Sequence, residues 1–169
     1  QQVSVAGART VASRLVASAG EALRLPHSVL THVFPNPEAV ADAPDAALAM
    51  PSARRDTVRR LAAAVASGEL PLDAGAAPET VRERLLSLRG VGPWTADAIV
   101  MRGLGHPDVL LTDDLGVRRA AQALGLDLRD RARVERLAPW RSYAVHHLWA
   151  SLDEAPCTPT HQKESIDAA

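Results

Sequence analysis

Two adjacent carboxylates, Asp113 and Asp114, lie in LLTDDLGVRR (110–119), where an apolar run gives way to a helical pattern. An acid at such a junction has two uses. Its oxygens can accept the orphan backbone N–H groups of the first helical turn, a cap worth about 0.5–2 kcal/mol. It can also supply a fixed negative charge against positive charge that develops in a reaction. Other residues able to do chemistry are sparse. His146 and His147 are neighbours, so they point to different helix faces, and no Cys or acid stands at ligand spacing from them. No catalytic metal is expected there. Cys157 is the only cysteine and Lys163 the only lysine. One thiol excludes a disulfide framework and a four-cysteine zinc or iron–sulfur site. Arg141, near a helix start, suits either a phosphate or an acidic partner.

The elements that must position the acid pair lie just upstream. ETVRERLLSL (79–88) has its apolar residues at helical spacing, and Thr80 with Glu83 fits a capping box. RGVG (89–92) then reads as a hairpin, and Pro93 can open a helix running to about Leu104. Glycine permits backbone angles that side chains forbid. It also lets a turn approach another molecule closely. The N–H groups of the hairpin and of the following helix start would point outward and, with the helix dipole, form an anion site. The competing reading is an ordinary tight turn between helices. GHPD and VLLT lead on to the acid pair, and the helix after it is expected to end near Gly125.

The rest of the chain reads as helical too. Residues 3–19 form an alanine-rich helix stopped by Gly20, with no start signal before it; Gln1 and Gln2 look already helical, as if a longer chain were entered mid-element. Ser52 is placed to cap a helix over 52–67 that ends at Gly68. Its Arg54, Arg55, Arg59 and Arg60 read as a solvated face in preference to a DNA-facing one. Residues 130–138 and 139–152 form the last helices, and the polar tail 153–169 is predicted to be disordered. Nothing alternates convincingly at period two. The fold class is therefore all-α, about eight helices in two lobes, 1–77 and 78–152.

Composition sets wide bounds. The 169 residues are 47% apolar, rich in alanine, enough for one core or two small lobes. Net charge is −1, which by itself argues against a nucleic-acid binder. The distribution softens this: residues 78–150 hold eleven Arg against nine acids, and residues 151–169 one Lys against four acids. No apolar run is long enough to span a membrane, and the start has no signal-peptide pattern, so no membrane partner is expected. Aromatics are only 3% of the chain, and four of the five lie in its second half: Trp94, Trp140, Tyr143 and Trp149.

The spacing L-x-G-V-G-x-x-T-A at Leu88, Gly90, Val91, Gly92, Thr95 and Ala96, with an Asp about eighteen residues on, resembles the helix-hairpin-helix DNA glycosylases. GVGPWTA (90–96), DLGVRRA (114–120), PWRSYAVHHLW (139–149) and QQVSVAGA (1–8) look most like the 3-methyladenine DNA glycosylase II branch. The likeness covers about residues 1–152. It implies duplex DNA carrying a damaged base as partner, a cytoplasmic, nucleoid-associated monomer, and a further N-terminal domain. Some relatives also carry an upstream domain that senses methylated DNA. It implies Asp114 as the catalytic acid, three residues before Val117, and leaves Asp113 as the helix cap. Trp94, Trp149, Ala98 and Leu115 would line the base pocket. Arg89, Gly90, Val91, Gly92, Pro93 and Thr95 would grip the DNA backbone. Trp140 and Tyr143 read as structural.

Such chemistry is coherent. Cleaving a base–sugar bond builds positive charge on the sugar, and a cationic alkylated base leaves without a strong general acid. The base must first leave the stack, and an aromatic holds it by about 1–3 kcal/mol. Relatives that also cut the strand carry a lysine at the position of Trp94, so a monofunctional enzyme is implied. Ala98 stands where the alkylbase enzymes often have an aromatic, which implies a wider pocket. No cofactor is expected beyond a monovalent cation on the Leu86, Leu88 and Gly90 carbonyls. A non-catalytic DNA-binding module and a glycosylase for hypoxanthine, uracil or an oxidised purine remain as alternatives.

Overall fold

The computed structural model describes residues 4–24, 29–73 and 75–153. Among these are eight helices: α1 (Val5–Ala19), α2 (Pro37–Ala41), α3 (Ser52–Ala66), α4 (Pro78–Ser87), α5 (Pro93–Gly103), α6 (Leu115–Ala123), α7 (Arg131–Glu135) and α8 (Arg141–Asp153). Extended pairing is limited to one isolated antiparallel bridge, Ala22 with His32. The all-α expectation holds. Gln1, Gln2 and the tail from 154, with Cys157 and Lys163, lie outside the described residues.

Several helix starts differ from the sequence reading. Helix α1 does have a start signal: the Ser4 hydroxyl accepts the Gly7 N–H at 3.1 Å. Helix α3 has Pro51 at its cap position, and Ser52 is already its first helical residue. The capping box at Thr80 and Glu83 does not form. Pro78 occupies the first helical position after Ala77, which makes Thr80 the third helical residue instead of the cap. Pro78, with its φ fixed near the helical value and no N–H to satisfy, opens α4 without side-chain help, and α3 likewise starts with no side-chain cap bond.

Three apolar clusters hold the chain together. Leu15, Val40, Ala43, Ala47, Leu48 and Ala62 join α1, α2 and α3. Ala64, on another face of α3, joins Leu70, Val81, Leu85, Val91, Ala96 and Val100 around α4 and α5. Met101, at the end of α5, joins Leu111, Val117, Ala120, Ala121, Val145 and Leu148 around α6 and α8. Small residues at the contacts let backbones approach closely: Ala96, Ala120 and Ala121 are all fully buried.

The segment between α5 and α6 is clamped onto the start of α8. Arg141 donates Nε to Asp108 Oδ1 and Nη2 to Asp108 Oδ2, each at 2.6 Å, and its backbone N–H reaches Oδ1 at 3.3 Å. These bonds hold the Asp108 carboxyl below its usual range and raise the Arg141 guanidinium. Arg141 is thus an ion-pair partner. The buried Ser142 hydroxyl donates to the His106 carbonyl at 2.7 Å and accepts the Val109 N–H at 2.9 Å. Next to this clamp, Trp140 and Tyr143 are not core residues. They are 59% and 56% exposed and pack edge to face on each other at 5.4 Å.

Candidate active site

The hairpin between α4 and α5 is built on one buried side chain and one forced backbone angle. Val91 is buried in the α3–α4–α5 cluster, and its N–H closes the turn onto the Leu88 carbonyl at 3.0 Å. The Val91 amide is therefore used inside the protein and does not belong to the outward-facing set expected of it. Gly90 has φ +97°, and a Cβ there would stand 2.1 Å from Thr57 Oγ1, so both angle and space exclude a side chain. Gly92 differs. Its φ is −97°, open to any residue, and a Cβ would meet no protein atom within 4 Å. Neither backbone angle nor internal packing accounts for glycine there. Arg89, Gly92 and Pro93 are exposed and Thr95 is half-buried. The amides of Gly92, Trp94 and Thr95 find no acceptor among the described residues, as the first turn of a helix dictates.

The acid pair splits across two environments. Asp114 is 7% exposed and is the N-cap of α6: its Oδ1 accepts the Val117 N–H at 2.9 Å. The cap was expected at Asp113, one residue early. The spacing from Asp114 to Val117 is that of a cap to the third helical residue, so the pattern that singled out Asp114 also carried the capping signal. Asp113 is exposed and lines a polar cleft of about 660 Å³ with Thr112, Arg118, Gln122 and Arg129.

Two indoles close on the same carboxylate from different helices. Trp94, in the first turn of α5, donates Nε1–H to Asp114 Oδ2 at 3.0 Å. Trp149, near the end of α8, donates Nε1–H to Oδ1, also at 3.0 Å. Both rings are half-buried. Together with the Val117 amide, these indoles hold the carboxylate in place. The arrangement depends on Gly116, where a Cβ would stand 3.1 Å from Asp114 Oδ1 and 3.3 Å from Trp149 Cδ1. A glycine inside a helix costs about 0.5–1 kcal/mol, and here it gives Trp149 room to reach the acid. The His146 ring packs edge to face on Trp149 at 5.5 Å. Gly116 and His146 carry no local sequence signal for these contacts, which arise where α6 meets α8.

The remaining positions distribute plainly. Leu115 is 46% exposed beside Asp114, and Ala98 is half-buried against the α6–α8 cluster. No group of three His, Cys, Asp or Glu residues that could hold a metal occurs among the described residues. On α3, Arg55 and Arg59 pair with Asp45, which holds that carboxyl below its usual range chiefly through the Arg59 hydrogen bond. Arg60 donates to the Arg89 carbonyl at 3.1 Å. No helix among the described residues is long and apolar enough to cross a membrane.

No family model matches the chain. Over 156 residues, 90% of the chain, it is 48% identical to the probable bifunctional transcriptional activator/DNA repair enzyme AlkA of Mycobacterium tuberculosis, of which that stretch is 32%. It is 35% identical over 153 residues to DNA-3-methyladenine glycosylase 2 of Escherichia coli, covering 88% of this chain and 53% of that protein. Among solved structures, the DNA-3-methyladenine glycosidase of Bacillus halodurans superposes with a TM-score of 0.64 at 28% identity, over 89% of this chain and 70% of that one. The chain thus spans between a third and about half the length of these two curated relatives.

Proposed function

The chain belongs to the helix-hairpin-helix DNA glycosylases, near their 3-methyladenine branch, and from that premise we propose that it excises alkylated bases of the 3-methyladenine and 7-methylguanine type from duplex DNA. The observation that carries this reading is the Asp114 carboxylate, held at the start of α6 by the Trp94 and Trp149 indoles and the Val117 amide. An acid fixed in this way keeps its charge in one place as positive charge grows on the sugar, and no reorganisation is needed during the reaction. A base carrying a positive charge is already an adequate leaving group, so one carboxylate suffices.

In this reading the hairpin holds the DNA. The open amides of Gly92, Trp94 and Thr95 and the dipole of α5 face a phosphate, and the bare Gly92 lets the strand approach. Such a grip needs little basic side-chain charge, which reconciles DNA binding with a net charge of −1. The flipped base lies among Trp94, Trp149, Leu115 and Ala98. Carbonyls of Leu86, Leu88 and Gly90 are proposed as donors to a monovalent cation. The Leu88 carbonyl keeps a second lone pair beside its bond from Val91. With Trp94 at the lysine position, water is the nucleophile and the product is an abasic site.

The test is release of methylated bases from alkylated duplex DNA, with a parallel borohydride trapping reaction. Base release without a trapped covalent complex is expected. A trapped complex would overturn the monofunctional assignment. Binding of duplex DNA without release of any base, whether alkylated, deaminated or oxidised, would leave a non-catalytic DNA-binding module.

A further inference from the structure

We infer that Thr57 and Arg60 of α3 are positioning residues for the DNA-gripping hairpin and act through the Arg89 backbone carbonyl. The inference rests on the DNA-binding reading above and goes beyond it, because neither residue belongs to the hairpin or to the Asp114 site. Arg60 Nη2 donates to the Arg89 carbonyl at 3.1 Å, and Thr57 Oγ1 lies 3.2 Å from the same oxygen. The Thr57 hydroxyl has one proton, which it divides between that carbonyl and the Ala53 carbonyl at 2.9 Å. Arg60 also reaches Thr57 Oγ1 at 3.5 Å, so the three groups form one small network. Its side chains stand 29 and 32 residues before the carbonyl they hold.

The network sits at the point of the hairpin that most needs support. Gly90, next to Arg89, takes the left-handed angle and lies so close to Thr57 that an added Cβ would be 2.1 Å from its hydroxyl oxygen. A turn of this kind has several backbone states of similar energy. Val91 pins one side of it into the core through its side chain. The Arg89 carbonyl pins the other side onto α3. Between these two anchors the Gly92 amide, and the start of α5 behind it, are held in one orientation. A preorganised amide set binds a phosphate more tightly than one that must be ordered on contact. Arg60 adds an exposed cation beside the hairpin, but its hydrogen bond to a carbonyl identifies its main contact as the hairpin backbone.

Three substitutions separate this role from a charge effect and from general stability. Thr57→Val keeps the β-branched shape against Gly90 and removes the hydroxyl. Thr57→Ser restores the hydroxyl. Arg60→Met removes the donor and the charge. Affinity for a fluorescent undamaged duplex, read by anisotropy across a salt series, is expected to weaken about 3- to 10-fold in Thr57→Val and in Arg60→Met. Thr57→Ser should recover most of it. The salt slope should stay at the wild-type value in Thr57→Val. In base release, KM should rise by the same factor with kcat within twofold, since the Asp114 site is untouched. Amide exchange at Val91 should quicken in both variants, whereas Val100 in α5 keeps its rate. Wild-type affinity in Thr57→Val and Arg60→Met, with the wild-type protein itself binding DNA, overturns the positioning role alone. Loss of kcat at unchanged KM overturns it equally. A wild-type protein with no affinity for duplex DNA overturns this inference together with the function on which it rests.

Discussion

Replacing Asp114 by Asn tests the acid with the smallest possible change in shape. The cap survives it, because asparagine accepts a first-turn N–H about as well as aspartate. The two indoles do not fare equally. With the amide oxygen in the Oδ1 position, Val117 and Trp149 keep an acceptor, but the NH₂ then faces the Trp94 N–H, donor against donor. The opposite flip is worse, since it sets the NH₂ against two donors. A half-buried donor left without a partner costs about 1–3 kcal/mol, and conversion of the Trp149 bond from charged to neutral removes about 1 kcal/mol more. The expected loss is therefore about 2–4 kcal/mol, a fall of roughly 4–16 °C in Tm for a chain of this size. Loss of a preorganised charge at the reacting centre should cost at least about 100-fold in base release. Asp113→Asn is the control. Asp113 is exposed and the cap belongs to its neighbour, so the α6 cap should survive and activity should persist. Circular dichroism melts and single-turnover base release read both quantities. If Asp113→Asn abolishes base release and Asp114→Asn spares it, the assignment of the acid is refuted.

Three other outcomes follow from the same geometry. Trp149→Phe keeps an aromatic face but is smaller than the indole and removes the donor to Oδ1; it should lower kcat and reduce stability by about 1–3 kcal/mol, read by single-turnover kinetics and thermal melts. Gly116→Ala should lower kcat as the new methyl group presses on Asp114 and Trp149, and the usual helix gain of about 0.5–1 kcal/mol should not appear in a denaturant titration. For Asp108, whose carboxyl is held below its ordinary value of 3.8 chiefly by the Arg141 hydrogen bonds, the stabilisation is fully present above the unfolded value and is lost as pH falls through the lower folded value. Acid titration of unfolding free energy should therefore be shallower below pH 3.8 in Asp108→Asn than in wild type. A slope equal to wild type would show that the clamp contributes nothing to acid sensitivity.

The sequence alone carried the features set by local geometry. The hairpin was legible because the angle at Gly90 and the start at Pro93 are properties of single residue types. The cap at Asp114 is encoded locally, because its distance from Val117 is that of a cap to the third helical residue. Helix number and order followed from apolar spacing and from the punctuation of glycine and proline. Where two capping residues stand close together, sequence does not decide between them. Ser52 and the Thr80–Glu83 pair carry start signals one to three residues inside helices that begin without a side-chain cap, and Asp113 offers the same side chain one residue before the cap at Asp114. Ser4 caps α1 from within a run of small residues that is itself compatible with helix.

Only the tertiary structure decided what happens between elements distant in sequence. The two indole donors to Asp114 come from residues 20 positions before it and 35 after it, and no periodicity encodes that meeting. The choice of Asp108 for Arg141 and of Asp45 for Arg59, and the exposure of Trp140 and Tyr143, depend on which helix faces pack together. Packing is a property of two surfaces at once. A single strand of sequence specifies each surface but not its partner, so the cap from Asp114 to Val117 lies within reach of the chain and the two indole donors only of the fold.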